Sequence, residues 1–246
     1  MANIVDERGY NQIFAPSPAQ ALRLRRRAEA IIAALPLPAD PAGRRAARIL
    51  ELGCGTGELA HALAVLTEAR VTGVDLSERF LAEARQKHQR PNLDFIMADL
   101  THEIPAKDQE LYHAITGNGI LHHLYHHLDT VLPALHHWLR PGGRLVFWEP
   151  NLWNPYVWTI FSFGPMRRLA KLEPDEMAFT PAFIRKKLER AGFGHIEVST
   201  RDFLLPNTPT ALIGPVVAVG DRLDRVPGVN RLAQSLFFSA EKPAVG

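Results

Sequence analysis

Between residues 47 and 150 short apolar runs alternate with longer amphipathic ones. Arg48 to Leu52 (RILEL) is apolar and ends at glycines, which predicts a buried strand. Glu58 to Thr67 is rich in Ala and Leu and reads as a helix. Val71 to Leu76 is a second strand. Ser77 then caps a helix over Glu78 to His88, acidic in its first turn and basic in its last. Leu93 to Met97 and Tyr112 to Thr116 read as strands three and four. His126 to Leu139 reads as a helix stopped by Pro141-Gly142-Gly143, and Arg144 to Trp148 as a fifth strand. Strand and helix in alternation predict a parallel α/β sheet with right-handed crossovers.

The flanks have a different rhythm. Gln20 to Ala34 reads as a helix, with Leu22, Leu24, Ala28, Ile31 and Ile32 as its apolar positions. Its run of Arg23, Arg25, Arg26 and Arg27 reads as a solvated face, with a phosphate or lipid-headgroup patch as the sharper alternative. Pro36, Pro38 and Pro41 form a linker. Past residue 150, a helix starts at Thr180-Pro181 and runs through Arg190 to Gly192, and residues 195–203 and 232–240 alternate as strands. Residues 151–180 and 204–230 read as insertions, the second a long apolar loop of the kind that is usually functional. The expected organisation is an N-terminal helical cap and linker over 1–46, then one domain over 47–246.

Composition narrows the classes. The chain has 246 residues, 46% hydrophobic and 22% charged, which excludes wholesale disorder. Its net charge of +2 disfavours a dedicated nucleic-acid binder. A lone cysteine, Cys54, permits no internal disulfide and no cysteine-only zinc site. The first ten residues lack the apolar core of a signal peptide. The most apolar stretches, Trp153 to Met166 and Phe203 to Gly220, are too short or too broken by proline to span a bilayer. The expectation is a cytoplasmic protein without a membrane span, with peripheral contact to a membrane surface left open.

The strongest local signal is Glu51-Leu52-Gly53-Cys54-Gly55-Thr56-Gly57, between a strand and a helix. Open α/β sheets bind ligands at that place. The spacing is G-x-G-x-G, not the dinucleotide G-x-G-x-x-G, and no Gly-Lys-Ser/Thr follows, so a P-loop is excluded. Glu51 and Glu58 flank the loop and suit a ligand with cationic centres better than a pyrophosphate. Asp75 closes the second strand, where a carboxylate can accept from a ribose diol; the alternative is a helix cap. Asp99 ends the third strand and can accept from an adenine amino group, or can be a turn residue before Thr101.

Five ordered segments carry a family resemblance: residues 49–57 (ILELGCGTG), Val74-Asp75-Leu76-Ser77, Ala98-Asp99-Leu100, residues 117–124 (GNGILHHL) and Leu139-Arg140-Pro141-Gly142-Gly143. They resemble the motifs of class I S-adenosylmethionine-dependent methyltransferases, most closely the small-molecule branch that includes ubiquinone and menaquinone biosynthesis enzymes. The resemblance implies a doubly wound, mostly parallel seven-stranded sheet of Rossmann-like type. An antiparallel C-terminal strand would close it, with helical and loop insertions as a cap. It implies S-adenosylmethionine as the cofactor. Glu51, Gly53, Cys54, Gly55 and Gly57 would line its methionine part, and Asp75 the ribose. Leu76 would pack on adenine, Asp99 and Leu100 would meet its amino edge, and Gly117 and Asn118 would border the sulfonium. Where the family often has Asp in the fourth strand, this chain has His113.

Methyl transfer is an in-line substitution, accelerated largely by positioning. A base would come from the histidines after the fourth strand, His122, His123, His126 and His127, with His123 preferred and His122 next to it. On a helix, His122/His126 and His123/His127 would pair at i, i+4, yet no third ligand is placed for a metal beyond Asp129, so none is expected. Tyr10, Phe14, Trp153, Tyr156 and Trp158 are candidate pocket aromatics for a small, lipophilic acceptor. The competing readings are an RNA or protein methyltransferase and a non-catalytic cofactor-binding protein.

Overall fold

In the computed structural model, which describes residues 17–100 and 111–244, the apolar runs become seven strands. They are Arg48–Leu52 (β1), Arg70–Asp75 (β2), Leu93–Met97 (β3), Tyr112–Asn118 (β4), Leu139–Pro150 (β5), Gly194–Arg201 (β6) and Ser235–Glu241 (β7). All seven lie in one sheet in the order β3-β2-β1-β4-β5-β7-β6. The β3 to β5 half is parallel, and β7 runs antiparallel to both β5 and β6. This is the expected mostly parallel doubly wound sheet with an antiparallel C-terminal strand. The chain order reverses between β1 and β4, so the loops after these two strands open side by side at a topological switch point.

Helices cover both faces. Those of the first half are Pro18–Ala34 (α1), Pro41–Ala46 (α2), Glu58–Thr67 (α3) and Glu78–Lys87 (α4). The second half adds Leu128–Trp138 (α5), Pro155–Ser162 (α6), Gly164–Leu169 (α7), Pro181–Arg190 (α8) and Thr210–Leu223 (α9). Ser17, Ser77, Asn154 and Thr180 each cap a helix by accepting a backbone N–H three residues on. Successive strand side chains alternate between faces. Thus Leu50 and Leu52 of β1 pack with Leu128, Leu132 and Leu135 of α5 and Ile184 and Leu188 of α8. Ile49 packs on the other face with Ile31 of α1, Leu63 of α3 and Leu81 of α4.

Three segments depart from the expected pattern. Residues 204–230 are not a plain loop: they contain α9, whose apolar positions Leu212 and Val219 are 52% exposed. Pro215 stands inside it, where a helix is not expected to continue. α5 starts at Leu128, later than the expected His126, because Leu121–His127 forms a 3₁₀ segment with non-helical dihedrals at Leu124. A 3₁₀ turn does not stack i and i+4, and His126 and His127 are exposed while His122 is buried.

The arginine run of α1 is a solvated face only in part: Arg25 is exposed. Arg23 is buried and Arg27 half-buried, with side chains 8% and 13% exposed, and both bind Asp202 just past β6, at 3.1 and 3.0 Å. Arg23 also donates to Gln234 Oε1, and Arg27 to Ser235 Oγ and to Asn118 Oδ1 at the end of β4. Burial and the neighbouring Arg27 lower the Arg23 pKa to about 9. Burial pushes the Asp202 carboxyl up, but Arg27 and Arg23 outweigh it and hold it below the ordinary range. Arg26 pairs with Asp221 of α9. The first helix is therefore fastened to the far strands by charge.

Candidate active site

The glycine loop is shaped by its own backbone. Cys54 N–H donates to Val74 O of β2 at 3.0 Å, and Gly57 N–H returns to Cys54 O at 2.9 Å. Gly57 starts α3 with φ of +87°, and a Cβ there would stand 2.7 Å from the Phe95 ring. Only glycine meets both conditions. Gly55, at φ +52°, faces open space with nothing within 4 Å of a built Cβ. The Cys54 side chain instead turns inward; burial, followed by Glu51 and Asp75, pushes its thiol far above the ordinary range. It is no nucleophile.

Asp75 crosses from β2 to this loop. Its Oδ2 accepts from Gly55 N at 2.8 Å and its Oδ1 from Ser77 N at 2.9 Å. The carboxylate thus tightens both the glycine loop and the start of α4, and each oxygen keeps a lone pair for a ligand hydroxyl. Burial lifts its pKa above the ordinary value, against the lowering by those two N–H groups. Leu76, Asp99 and Leu100 are half-buried at the same end of β2 and β3. β4 completes the arrangement: Leu52 pairs with Gly117, and Asn118 follows.

Glu51 sits beneath the loop and is 2% exposed. Its Oε2 is buried without a hydrogen-bond partner. Burial, reinforced by Glu58 and Asp75, pushes its pKa up to about 8. A buried carboxylate with an orphaned oxygen favours a cation. An open glycine cradle, a diol acceptor and a buried acid awaiting a cation together fit S-adenosylmethionine, which carries a ribose diol, an amino group and a sulfonium.

The 3₁₀ segment after β4 stands beside this loop. Glu149, near the end of β5, caps it: Oε1 accepts from the N–H of Ile120 and Leu121 at 3.0 and 2.7 Å. Its Oε2 meets His122 Nδ1 at 2.8 Å. The next ring, His123, lies 4.2 Å from His122 between centroids and 3.1 Å, Nδ1 to Oε1, from Glu176. Burial and then His122 push the His123 pKa below the ordinary histidine value. Glu176 belongs to the insertion after β5 and is 2% exposed. Met177 N–H bonds His122 O and holds that insertion onto the segment. Neither Glu149 nor Glu176 stood out in the sequence. Glu149 lies 27 residues from His122 and carries no local motif.

The aromatic candidates separate. Trp153, Tyr156 and Trp158 are 42%, 55% and 47% exposed. α6 turns Val157 and Phe161 inward instead, and the Phe161 ring meets His122 edge-on at 6.0 Å. Trp153 lies under the Arg231 guanidinium. An apolar helix on a surface must choose one face to bury, and here the choice excludes Trp158. Tyr10 and Phe14 lie outside the described residues. Among the described residues, no helix is long and apolar enough to cross a membrane.

Residues 49–143 match the family described as a methyltransferase domain. The chain is 36% identical over 169 residues to a trans-aconitate 2-methyltransferase of Methylobacterium nodulans, covering 68% of this chain and 58% of that one. It is 34% identical over 110 residues to a demethylmenaquinone methyltransferase of Chlorobaculum parvum, covering 45% and 44%. The chain thus spans about half the length of these curated relatives. Among solved structures, a complex of the Haloferax volcanii Trm112 methyltransferase activator with a methyltransferase contains a chain that superposes with a TM-score of 0.69. The match is at 18% identity over 96% of this chain and 97% of that one. A SAM-dependent methyltransferase from Archaeoglobus fulgidus superposes at 0.62, with 17% identity over 95% and 98%. Residues 49–143 are a methyltransferase domain, and the chain has the fold of the class I S-adenosylmethionine-dependent methyltransferases, its curated relatives lying in their small-molecule branch.

Proposed function

We propose that the protein transfers a methyl group from S-adenosylmethionine to a small hydrophobic or aromatic acceptor, such as a natural product, quinone or lipid-like molecule, in the cytoplasm. One observation carries the reading: the Asp75 carboxylate bonded to Gly55 N–H, beside the orphaned Glu51 oxygen. The names of the quinone and aconitate methyltransferase relatives support the size class of the acceptor.

The bound cofactor supplies a methyl carbon already activated by its sulfonium. The chain's task is then to position and to handle charge. Asp75 would accept from the ribose hydroxyls, while Leu76, Asp99 and Leu100 would surround the adenine. Gly53, Cys54, Gly55 and Gly57 would line the methionine part with backbone, and Glu51 would answer its amino cation. Gly117 and Asn118 would border the sulfur, and Arg27 holds the Asn118 carboxamide oxygen at 2.7 Å. His122 and His123 stand on the acceptor side and act on its ionisable proton. Incubation of the protein with tritiated cofactor and fractionated cell extract should transfer label into a small-molecule fraction. Label in RNA or protein alone, or no label in any fraction, would refute the reading.

Glu51 gives this reading a pH signature. Its folded pKa of about 8 lies above the ordinary value of 4.5, so the folded protein binds that proton more tightly than the unfolded chain. This contribution to stability is full below pH 4.5, declines as pH rises from there, and is gone above about 8. Cofactor binding has the opposite sense, since the amino cation selects the ionised form. Affinity for S-adenosylhomocysteine should rise with pH from 6 to 8, by up to about tenfold per pH unit while Glu51 is protonated. In Glu51→Gln the rise should vanish. Calorimetry at several pH values reads both.

The open space at Gly55 makes a second test. Gly55→Val puts a β-branched residue at φ +52° and fills the cradle. Cofactor binding should be lost to calorimetry while the protein remains folded by circular dichroism.

A further inference from the structure

We propose that His122, His123 and Glu176 form a binding site for a divalent transition-metal cation of borderline softness, such as zinc. It rests on the acceptor-side reading of the histidine pair and adds to it what holds the acceptor. Two histidines alone would not make such a site, and the sequence offers no third ligand beside them. The fold supplies one from 53 residues further along the chain, Glu176. One ligand atom from each of the three side chains lies within 4.8 Å of the others. Two imidazoles and one carboxylate are a set that binds zinc or ferrous iron and leaves positions open.

Three further features mark the cluster as built. Glu176 Oε2 is buried without a hydrogen-bond partner, in a residue 2% exposed, so the carboxylate is directed inward with an acceptor unused. His122 Nδ1 meets Glu149 Oε2, and Glu149 otherwise accepts backbone N–H groups. The Nδ1 therefore donates, which leaves the Nε2 lone pair of His122 for a metal. This carboxylate–histidine pairing is the usual orienting device of metal-binding histidines. Third, the loop that carries Glu176 is tied down by backbone: Arg167 donates to Glu176 O at 3.0 Å and Met177 N–H to His122 O at 3.1 Å. A carboxylate in a slack loop would not stay buried beside two rings.

Such a cation would give the acceptor an anchor. A hydroxyl or enol oxygen could take an open position and release its proton to solvent water more readily there, and a carboxylate oxygen could bind as it is. His122 and His123 would then act on the acceptor's proton through the cation they hold, and the acceptors preferred are those with an oxygen donor.

The experiment is titration of chelator-treated protein with zinc chloride, followed by calorimetry, and with cobalt chloride, followed by visible absorption. The expected result is one saturable equivalent of zinc, together with d–d bands of four- or five-coordinate cobalt. Glu176→Gln, which is isosteric, and His122→Ala should each weaken zinc binding at least about tenfold. His137→Ala, an exposed histidine on α5, should leave it unchanged. If His122→Ala does not fold, Glu176→Gln and the wild-type cobalt spectrum decide. Absence of saturable binding, only octahedral cobalt spectra, or equal affinity in the wild type and Glu176→Gln would overturn the site. Binding of S-adenosylhomocysteine to the same metal-free samples should stay intact whichever way the zinc result falls. Its loss in the wild type would instead be a failure of the methyltransferase reading.

Discussion

Asp75→Ala should weaken S-adenosylmethionine binding by about 100-fold or more. The carboxylate is expected to accept both ribose hydroxyls, and hydrogen bonds to a charged acceptor contribute roughly 1.5–3 kcal/mol each. Each ~1.4 kcal/mol is a factor of ten in affinity. The substitution also strands the N–H groups of Gly55 and Ser77, which now bond to Asp75 at 2.8 and 2.9 Å. The glycine loop should therefore loosen as well, at a cost of about 1–3 kcal/mol in folding. Calorimetric titration reads the affinity, and urea denaturation the stability. Affinity within threefold of the wild type would mean that the ribose is held elsewhere.

Asp202→Ala should produce the largest loss of stability, about 3–5 kcal/mol by urea denaturation. Arg23 and Arg27 are 8% and 13% exposed, and this carboxylate is their shared anionic partner. Removing it leaves two guanidinium groups with neutral partners alone, Gln234 for Arg23 and Ser235 and Asn118 for Arg27, and the penalty is their desolvation rather than the worth of the pair. Replacing charge on both sides is the control. In Arg23→Met with Asp202→Leu the loss should be smaller than the sum of the single losses, because one of the two stranded guanidinium groups has gone too. A loss under 1 kcal/mol in Asp202→Ala would mean that water reaches the cluster. Since Arg27 also holds Asn118, cofactor affinity should fall along with stability.

The parallel half of the sheet was legible because each strand is a short apolar run bounded by its own punctuation. Gly53 ends β1, Ser77 caps α4, and Pro181 opens α8 at the residues where periodicity placed them. β5 was underestimated at both ends, since Pro141, Gly142 and Gly143 read as a stop; the strand absorbs them at a register shift opposite β4. α9 falls in a stretch expected only as a helical or loop insertion; its bounds were not legible because Pro215 and Gly214 interrupt Thr210–Leu223. The arginines of α1 misled for a different reason. Charge in a helix is normally solvated, and the partner that buries Arg23 lies 179 residues away. The same distance effect hid Glu149 and Glu176. A residue whose role is to bond one histidine across the fold leaves no local pattern, whereas a glycine loop does, because its constraint is the backbone itself.

The exposure of Trp153, Tyr156 and Trp158 shows where composition gives out. Counting aromatics in residues 151–180 indicates an apolar insertion, but not which rings are buried. In the structure Phe161 meets His122 and the tryptophans do not.

The central claim is a cofactor cleft over Gly53–Gly57, governed by Asp75. Isothermal titration of the intact protein with S-adenosylhomocysteine tests it most directly. The expected result is one-to-one binding in the wild type, abolished in Gly55→Val and weakened about 100-fold in Asp75→Ala. No binding to the wild type, or binding unchanged in both variants, would contradict it.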